Sequence, residues 1–217
     1  MTKKRITIAL AMGAAVALAG CAGRTPATDY DAKLASMLKS SFRDQGIAKV
    51  DRLQQDASNA ECSEAQGKDL PEALAKSIEA ANLKTVKLPA DGRYIGDWKA
   101  GEKLAQNGRG MTWSDDSTKT SANGGNCYNC HELDRAELSY GTIGPSLHNY
   151  GKIRGVADPA SSAAKPVVEY TWGKLYNAKA YNACSAMPRF GHVGMLDEKQ
   201  LKDLMALLLD PKSPVNQ

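Results

Sequence analysis

Cys127-Tyr128-Asn129-Cys130-His131 is the part of this sequence whose residue types and spacing could do chemistry. Two thiols three residues apart can reach the two vinyl groups on one edge of a tetrapyrrole, and the adjacent imidazole can then ligate its iron. C-x-x-C-H is the attachment signature of a covalent c-type haem. The geometry expected for it is a turn entering a helix. A thioredoxin-like C-x-x-C competes, but it needs a strand before the helix, and here a Gly/Asn-rich loop leads in. Zinc would require a second Cys or His pair to complete four ligands, and the sequence offers none. One such motif implies one haem c, held through Cys127 and Cys130 with His131 on the iron.

A sixth ligand must come from downstream: Met187, Met195, Met205, His148 and His192 carry suitable donors. Met205 falls on the apolar stripe of the last helix and reads as core. Met195 reads as a contact packed against the start of that helix, and His148 follows the motif too soon. Met187 precedes Pro188, which favours an extended backbone, in a loop able to present a side chain to the metal. It is the expected ligand, with His192 the rival. A His/Met pair raises the reduction potential relative to nitrogen-only ligation.

Three cysteines remain. Residues 1–20 combine a basic start (Lys3, Lys4, Arg5) with an apolar run over 6–20, an export signal too short for a permanent span. It ends at Leu18-Ala19-Gly20-Cys21, the order of residues in a bacterial lipobox, so Cys21 is the expected lipidated N-terminus. Ala22 after it favours the outer membrane. In an oxidising periplasm Cys62 and Cys184 are most simply a disulfide; a free reactive thiol at Cys184 is the alternative.

The elements that must position these residues are helical. Tyr30, Leu34, Met37, Leu38 and Phe42 have the spacing of an amphipathic helix. A second helical stretch is expected to carry Ile47, Val50 and Leu53, and a third to run over 70–81 with Pro71 at its first position. Lys84 to Pro89 reads as extended, followed by a turn at Asp91-Gly92. Asp97 caps a helix reaching Gln106, and 107–126 is a long polar loop. A helix carrying Val168, Trp172, Leu175, Tyr176 and Lys179 precedes a loop at 181–195. The last helix starts at Asp197, with Gln200 as capping-box partner and Leu201, Leu204, Met205 and Leu208 buried. No strand pair is evident. The division expected is 1–20 signal peptide, 21–95 tether and helical extension, and 96–217 the domain that carries the chemistry.

Composition narrows the classes. The chain has 217 residues, 42% hydrophobic, 24% charged and 6% aromatic, which is globular rather than disordered. Three of the 28 basic residues precede residue 20 and no acidic residue does, so removing that segment leaves 25 against 24. A nucleic-acid partner has no electrostatic support at that balance. Few aromatic side chains leave core volume to be supplied by something else, and a haem is a large flat apolar body.

The segment Gly141-Thr-Ile-Gly-Pro-Ser-Leu147 resembles the Gly-Pro-x-Leu stretch of class I cytochromes c. That resemblance implies that the Pro145 carbonyl accepts the second N–H of His131. With Gly125-Asn-Cys-Tyr-Asn-Cys-His131, Tyr150-Gly-Lys-Ile-Arg-Gly155, Cys184-Ser-Ala-Met-Pro-Arg-Phe-Gly191 and Leu209-Asp-Pro-Lys-Ser-Pro-Val-Asn216, the chain resembles the SoxX family of monohaem cytochromes c. The resemblance covers the 96–217 domain; the 21–95 extension and the lipobox depart from the shortest members. It implies an all-α, class I cytochrome c-like domain acting as electron-transfer subunit of the periplasmic SoxAX complex. That complex, with SoxA carrying the reactive haem, is an L-cysteine S-thiosulfotransferase that oxidatively joins thiosulfate to a cysteine of the carrier SoxYZ. A small cytochrome c would take the electrons onward. No general base or nucleophile of the chain's own is expected. A stand-alone carrier serving a respiratory oxidase, and a gas-binding sensor, are the other readings.

Overall fold

The computed structural model describes residues 29–115 and 118–217. They divide between Phe42 and Arg43 into two compact units. The first contributes helix α1 (Tyr30–Ser41), capped by the Asp29 carboxylate, which accepts from the Ala32 amide. Among the described residues there is no strand; an isolated bridge joins Gln45 and Ala48. The protein is all-α.

The second unit holds α2 (Ala57–Glu64), α3 (Glu72–Leu83), α4 (Trp98–Gln106), α5 (Tyr150–Ile153), α6 (Lys165–Tyr176) and α7 (Glu198–Leu209). Its centre is α7. The Asp197 carboxylate accepts from the Gln200 amide at 2.8 Å and the Gln200 side chain accepts from the Asp197 amide at 3.0 Å, the expected capping box. Beyond the one stripe the sequence suggests, α7 is buried on nearly all sides: Met205, Ala206, Leu207 and Leu209 are wholly enclosed. Its last six residues, Leu204 to Leu209, are apolar throughout, and such a stretch belongs in an interior.

Helix α4 packs closely against α7. A Cβ at Gly101 would lie 2.1 Å from the Asp203 carbonyl oxygen, so only glycine allows the contact. The buried Asp203 carboxylate accepts from the Asp97 amide at 2.9 Å and from Lys199 at 2.7 Å, joining the two helices at their starts.

The segment 43–95 belongs to the same compact unit. Its expected second helix is a single 3₁₀ turn, Val50–Leu53, while α2 stands where the sequence showed no helical periodicity. Asp56 supplies the reason for α2: its side chain caps the helix by accepting from the Asn59 amide at 2.9 Å. Pro71 is the cap residue of α3 rather than its first turn. Three hydrogen bonds among two buried amides and two half-buried hydroxyls then fasten this segment down. Asn177 donates to Asn82 Oδ1 at 3.0 Å and to Thr85 Oγ1 at 2.9 Å, and Asn82 donates to Ser58 Oγ at 3.0 Å. The Trp172 indole donates to the Lys87 carbonyl at 2.8 Å, pinning this stretch to α6; of the expected extended residues 84–89, Lys84 and Thr85 instead form the turn that ends α3.

Helix α6 stops at Tyr176, so Lys179 falls on a separate 3₁₀ turn, Ala178–Ala180, and not on the helix as expected. Asn177 breaks the helix by turning its carboxamide to the network above. The tail is a plug: Ser213 and Val215 are fully enclosed. Asn216 accepts from the amides of Gly151 and Lys152 at 2.9 and 3.2 Å and donates to the Leu208 and Asp210 carbonyls at 3.1 and 2.9 Å.

Candidate functional site

The loop entering the motif runs antiparallel to the end of α4. Gly124, Gly125 and Asn126 donate their amides to the carbonyls of Arg109, Leu104 and Asn107 at 3.0, 2.8 and 3.0 Å. Cys127–Asn129 form one 3₁₀ turn, closed by the Cys130 and His131 amides on the Cys127 carbonyl at 3.0 and 2.9 Å. No helix follows His131, contrary to the expected turn into a helix. The next segment folds back instead: Gly141, Gly144 and Leu147 donate to the carbonyls of Tyr128, Cys130 and Glu132 at 2.7, 2.8 and 2.7 Å.

That return strip fixes the imidazole. His131 Nδ1 lies 2.7 Å from the Pro145 carbonyl oxygen, so Nδ1–H donates and Nε2 is the nitrogen free for other work. Gly144 lies flat against the ring, where a Cβ would fall 2.1 Å from Cε1. Glycine is required for the carbonyl of its neighbour to come this close.

Cys127, Cys130 and His131 line a cavity of about 660 Å³, within the range of small-molecule and cofactor sites. Leu204, Leu207 and Leu208 of α7 and Leu133 form apolar wall. From α6 come Thr171, Lys174 and Leu175; from the 181–195 loop come Cys184, Met187 and Phe190. Of the five ligand candidates, Met187 alone is in this lining. Met205 is fully enclosed in α7, Met195 packs against the core, and His148 Nε2 faces the Asn149 carboxamide at 2.9 Å. His192 stands outside the lining, with its amide donating to the Tyr176 carbonyl at 3.0 Å.

The two motif cysteines are free thiols. Burial pushes the Cys127 thiol up to about 12, opposite to the depressed value a thiol–disulfide exchange nucleophile requires. Among the described residues, no three His, Cys, Asp or Glu side chains form a metal-binding group. Burial, with the charges of Asp134, Glu102 and Glu137 nearby, likewise pushes the Tyr128 hydroxyl up to about 12.

Cys62 and Cys184 form a disulfide across 122 residues, with Cα atoms 5.5 Å apart. It ties α2 to the loop bearing Met187. Lys179 Nζ lies 3.9 Å from Cys62 Sγ and donates to the Ala183 carbonyl at 2.9 Å. Arg189, two residues past Met187, pairs with Asp56 at the start of α2. Cys21 and the 1–20 signal lie outside the described residues. The sequence reading gave no role to Tyr170 or Lys174, nor to Arg154 beyond its place in the 150–155 segment, and all three line the cavity. No spacing to the motif could have found them; only the folding of α5 and α6 brings them there.

Fold and site together define an all-α protein whose central helix walls a cavity bearing two free thiols, a tautomer-fixed imidazole and a thioether. No family model matches the chain. Over 176 residues it is 34% identical to an uncharacterized lipoprotein of Aquifex aeolicus (strain VF5), a match covering 80% of this chain and 76% of that one. The chain belongs to the family of that protein. Among the described residues no helix is long and apolar enough to cross a membrane.

Proposed function

We propose that the chain is a monohaem c-type cytochrome. The observation that carries this reading is one cavity lined at once by Cys127, Cys130, His131 and Met187, with the His131 tautomer held by Pro145. The donor set fits the group: Cys127 and Cys130 would carry it through thioether links, and His131 Nε2 and the Met187 sulfur would ligate its iron. The apolar walls and the cavity volume suit a flat tetrapyrrole. A bound haem supplies one-electron transfer at its iron. The residues of this chain hold it, set its ligand basicity through the Pro145 carbonyl, and exclude water with α7. The test is haem staining of the denatured chain and a stoichiometry of one. Loss of all colour on denaturation would defeat the reading.

Within that class we place the chain as the SoxX-type electron-transfer subunit of a periplasmic SoxAX complex. The support is the resemblance of the segments 125–131, 141–147, 150–155, 184–191 and 209–216. The SoxA-type partner would carry the centre that conjugates thiosulfate to the SoxYZ cysteine, and a small cytochrome c would accept the electrons. Thiosulfate-dependent reduction of this chain only when that partner is present supports the assignment. Equal reduction without it favours the stand-alone carrier. The lipobox order of residues 18–21, with a lipoprotein as relative, supports a lipid anchor on Cys21 and a periplasmic body at the outer membrane. Mass spectrometry of the mature N-terminus tests it.

A further inference from the structure

The two sides of the Cys62–Cys184 bridge differ. Cys184 is exposed, in a tight turn where its amide donates to Asn182 Oδ1 at 3.1 Å and the Ser185 amide donates to the Asn182 carbonyl at 3.0 Å. That turn has fastenings of its own. The Ala183 amide donates to Glu79 at 3.2 Å, and the Ala183 carbonyl accepts from Lys179 Nζ at 2.9 Å. Cys62 is half-buried on α2, with Lys179 Nζ 3.9 Å from its sulfur. Lys179 is 5% exposed, and among the described residues it makes no ion pair. Burial and the Arg189 charge lower the pKa of its ammonium, while Asp56, whose carboxylate pairs with Arg189, opposes them. An ammonium in that setting gains from an anion formed beside it. In thiol–disulfide exchange the accessible sulfur is attacked, and the sulfur whose thiolate is better stabilised leaves. Both criteria give one polarity here: Cys184 receives and Cys62 leaves.

We infer that Cys184 is a modification site for the thiolates of small thiols, with Cys62 the leaving sulfur and the Lys179 ammonium stabilising it. The incoming sulfur bonds to Cys184 Sγ as the bridge breaks, and the bonding pair leaves with Cys62 Sγ as a thiolate. One disulfide replaces another, so this step carries no net oxidation or reduction. A second thiolate attacking the added sulfur then releases Cys184, leaving both cysteines reduced and the two thiols oxidised to their own disulfide. The mixed disulfide stands in the cavity lining, three residues before Met187. It unfastens α2 from that loop at one point while the Asp56–Arg189 pair and the Ala183–Glu79 bond remain. The inference does not depend on what the cavity holds.

The test treats the full folded chain, parent and Lys179→Met, with 2-mercaptoethanol. Samples are quenched at early times with iodoacetamide and mapped by peptide mass spectrometry. On the parent the mercaptoethanol adduct should appear on Cys184 and the carbamidomethyl group on Cys62. Lys179→Met should keep that placement and react roughly tenfold more slowly. A loosened fold would expose the bridge and speed the reaction, so slowing is not an effect of instability. Where Lys179→Met does not fold, the placement on the parent decides the matter. An adduct on Cys62, an even split between the two cysteines, or a bridge that reacts only in denaturant would overturn the inference. So would an unchanged or faster rate in Lys179→Met.

Discussion

Removing the Cys62–Cys184 bridge, by Cys62→Ser with Cys184→Ser, tests how the N-terminal segment is held. The bridge spans 122 residues, and closing a loop of that length in the unfolded chain is worth about 5 kcal/mol in the chain-entropy model. For a unit of this size each kcal/mol moves the melting temperature by roughly 2–4 °C. The double variant should therefore melt roughly 10–20 °C below the parent in differential scanning calorimetry. Folded, it should keep the cavity, because other ties join the same elements: Asn177 to Asn82, the Ala183 amide to Glu79 at 3.2 Å, and Arg189 to Asp56. A reductant that reaches the bridge should reproduce the variant's melting point on the parent chain. A loss of less than about 1 kcal/mol would refute the reasoning, because the bridge would then constrain nothing that the unfolded chain samples.

Gly144→Ala drives a methyl into the His131 ring; destabilisation of about 1–3 kcal/mol is expected, with loss of the Pro145 bond visible as a shifted imidazole resonance. Met187→Ala should abolish the thioether-to-iron absorption band of the haem-bearing chain while leaving haem attachment intact; an unchanged spectrum would remove Met187 from the iron. Asn216→Ala leaves the Gly151 and Lys152 amides without their acceptor, so chemical denaturation should report a loss of about 2–4 kcal/mol. Burial raises the Asp56 carboxyl, but the Asn59 amide and the Arg189 charge outweigh it and hold the folded value below the ordinary one. A carboxyl depressed on folding stabilises above its unfolded value of about 3.9 and loses that contribution as pH falls through the folded value. The parent should thus lose more stability than Asp56→Asn between about pH 4 and pH 2, and parallel curves would show that the Arg189 pair does not hold the loop.

Legibility in the sequence followed how local each cause was. Helices α4 and α7 were readable because their caps, Asp97 and Asp197, lie beside the apolar pattern they start. Helix α2 was not, because its residues are small and polar. What holds it is the Asp56 cap, the bridge at Cys62 and the Ser58–Asn82 bond, two of which have partners far away in sequence. Val50 and Leu53 show the converse. Their apolar spacing suggested a helix, yet the segment makes one 3₁₀ turn, with both residues exposed at 43% and 40%. The turn is held by the Val50 amide on Asp44 at 2.9 Å rather than by a buried face.

The site divides along the same line. The thiols and His131 are contiguous in sequence, so the reading of them as a haem site needs no fold. Met187 was singled out by Pro188 and its loop, and it is the candidate that the fold brings into the same cavity. Arg154, inside the 150–155 segment, and Lys174 carried no assigned role in the sequence, because only the folding of α5 and α6 brings them to the cavity. Pro145 lies between these cases. A Gly-Pro pair is a turn in most contexts, and its role depends on Gly144 admitting the His131 ring at a distance no side chain would allow. The imidazole is therefore oriented by backbone rather than by a side chain. A carbonyl held by the Gly141, Gly144 and Leu147 amide bonds cannot swing away as a carboxylate could. The tautomer of His131 is thus fixed by the fold of the return strip itself, and any substitution that loosens residues 141–147 should act on the imidazole before it acts on the helices.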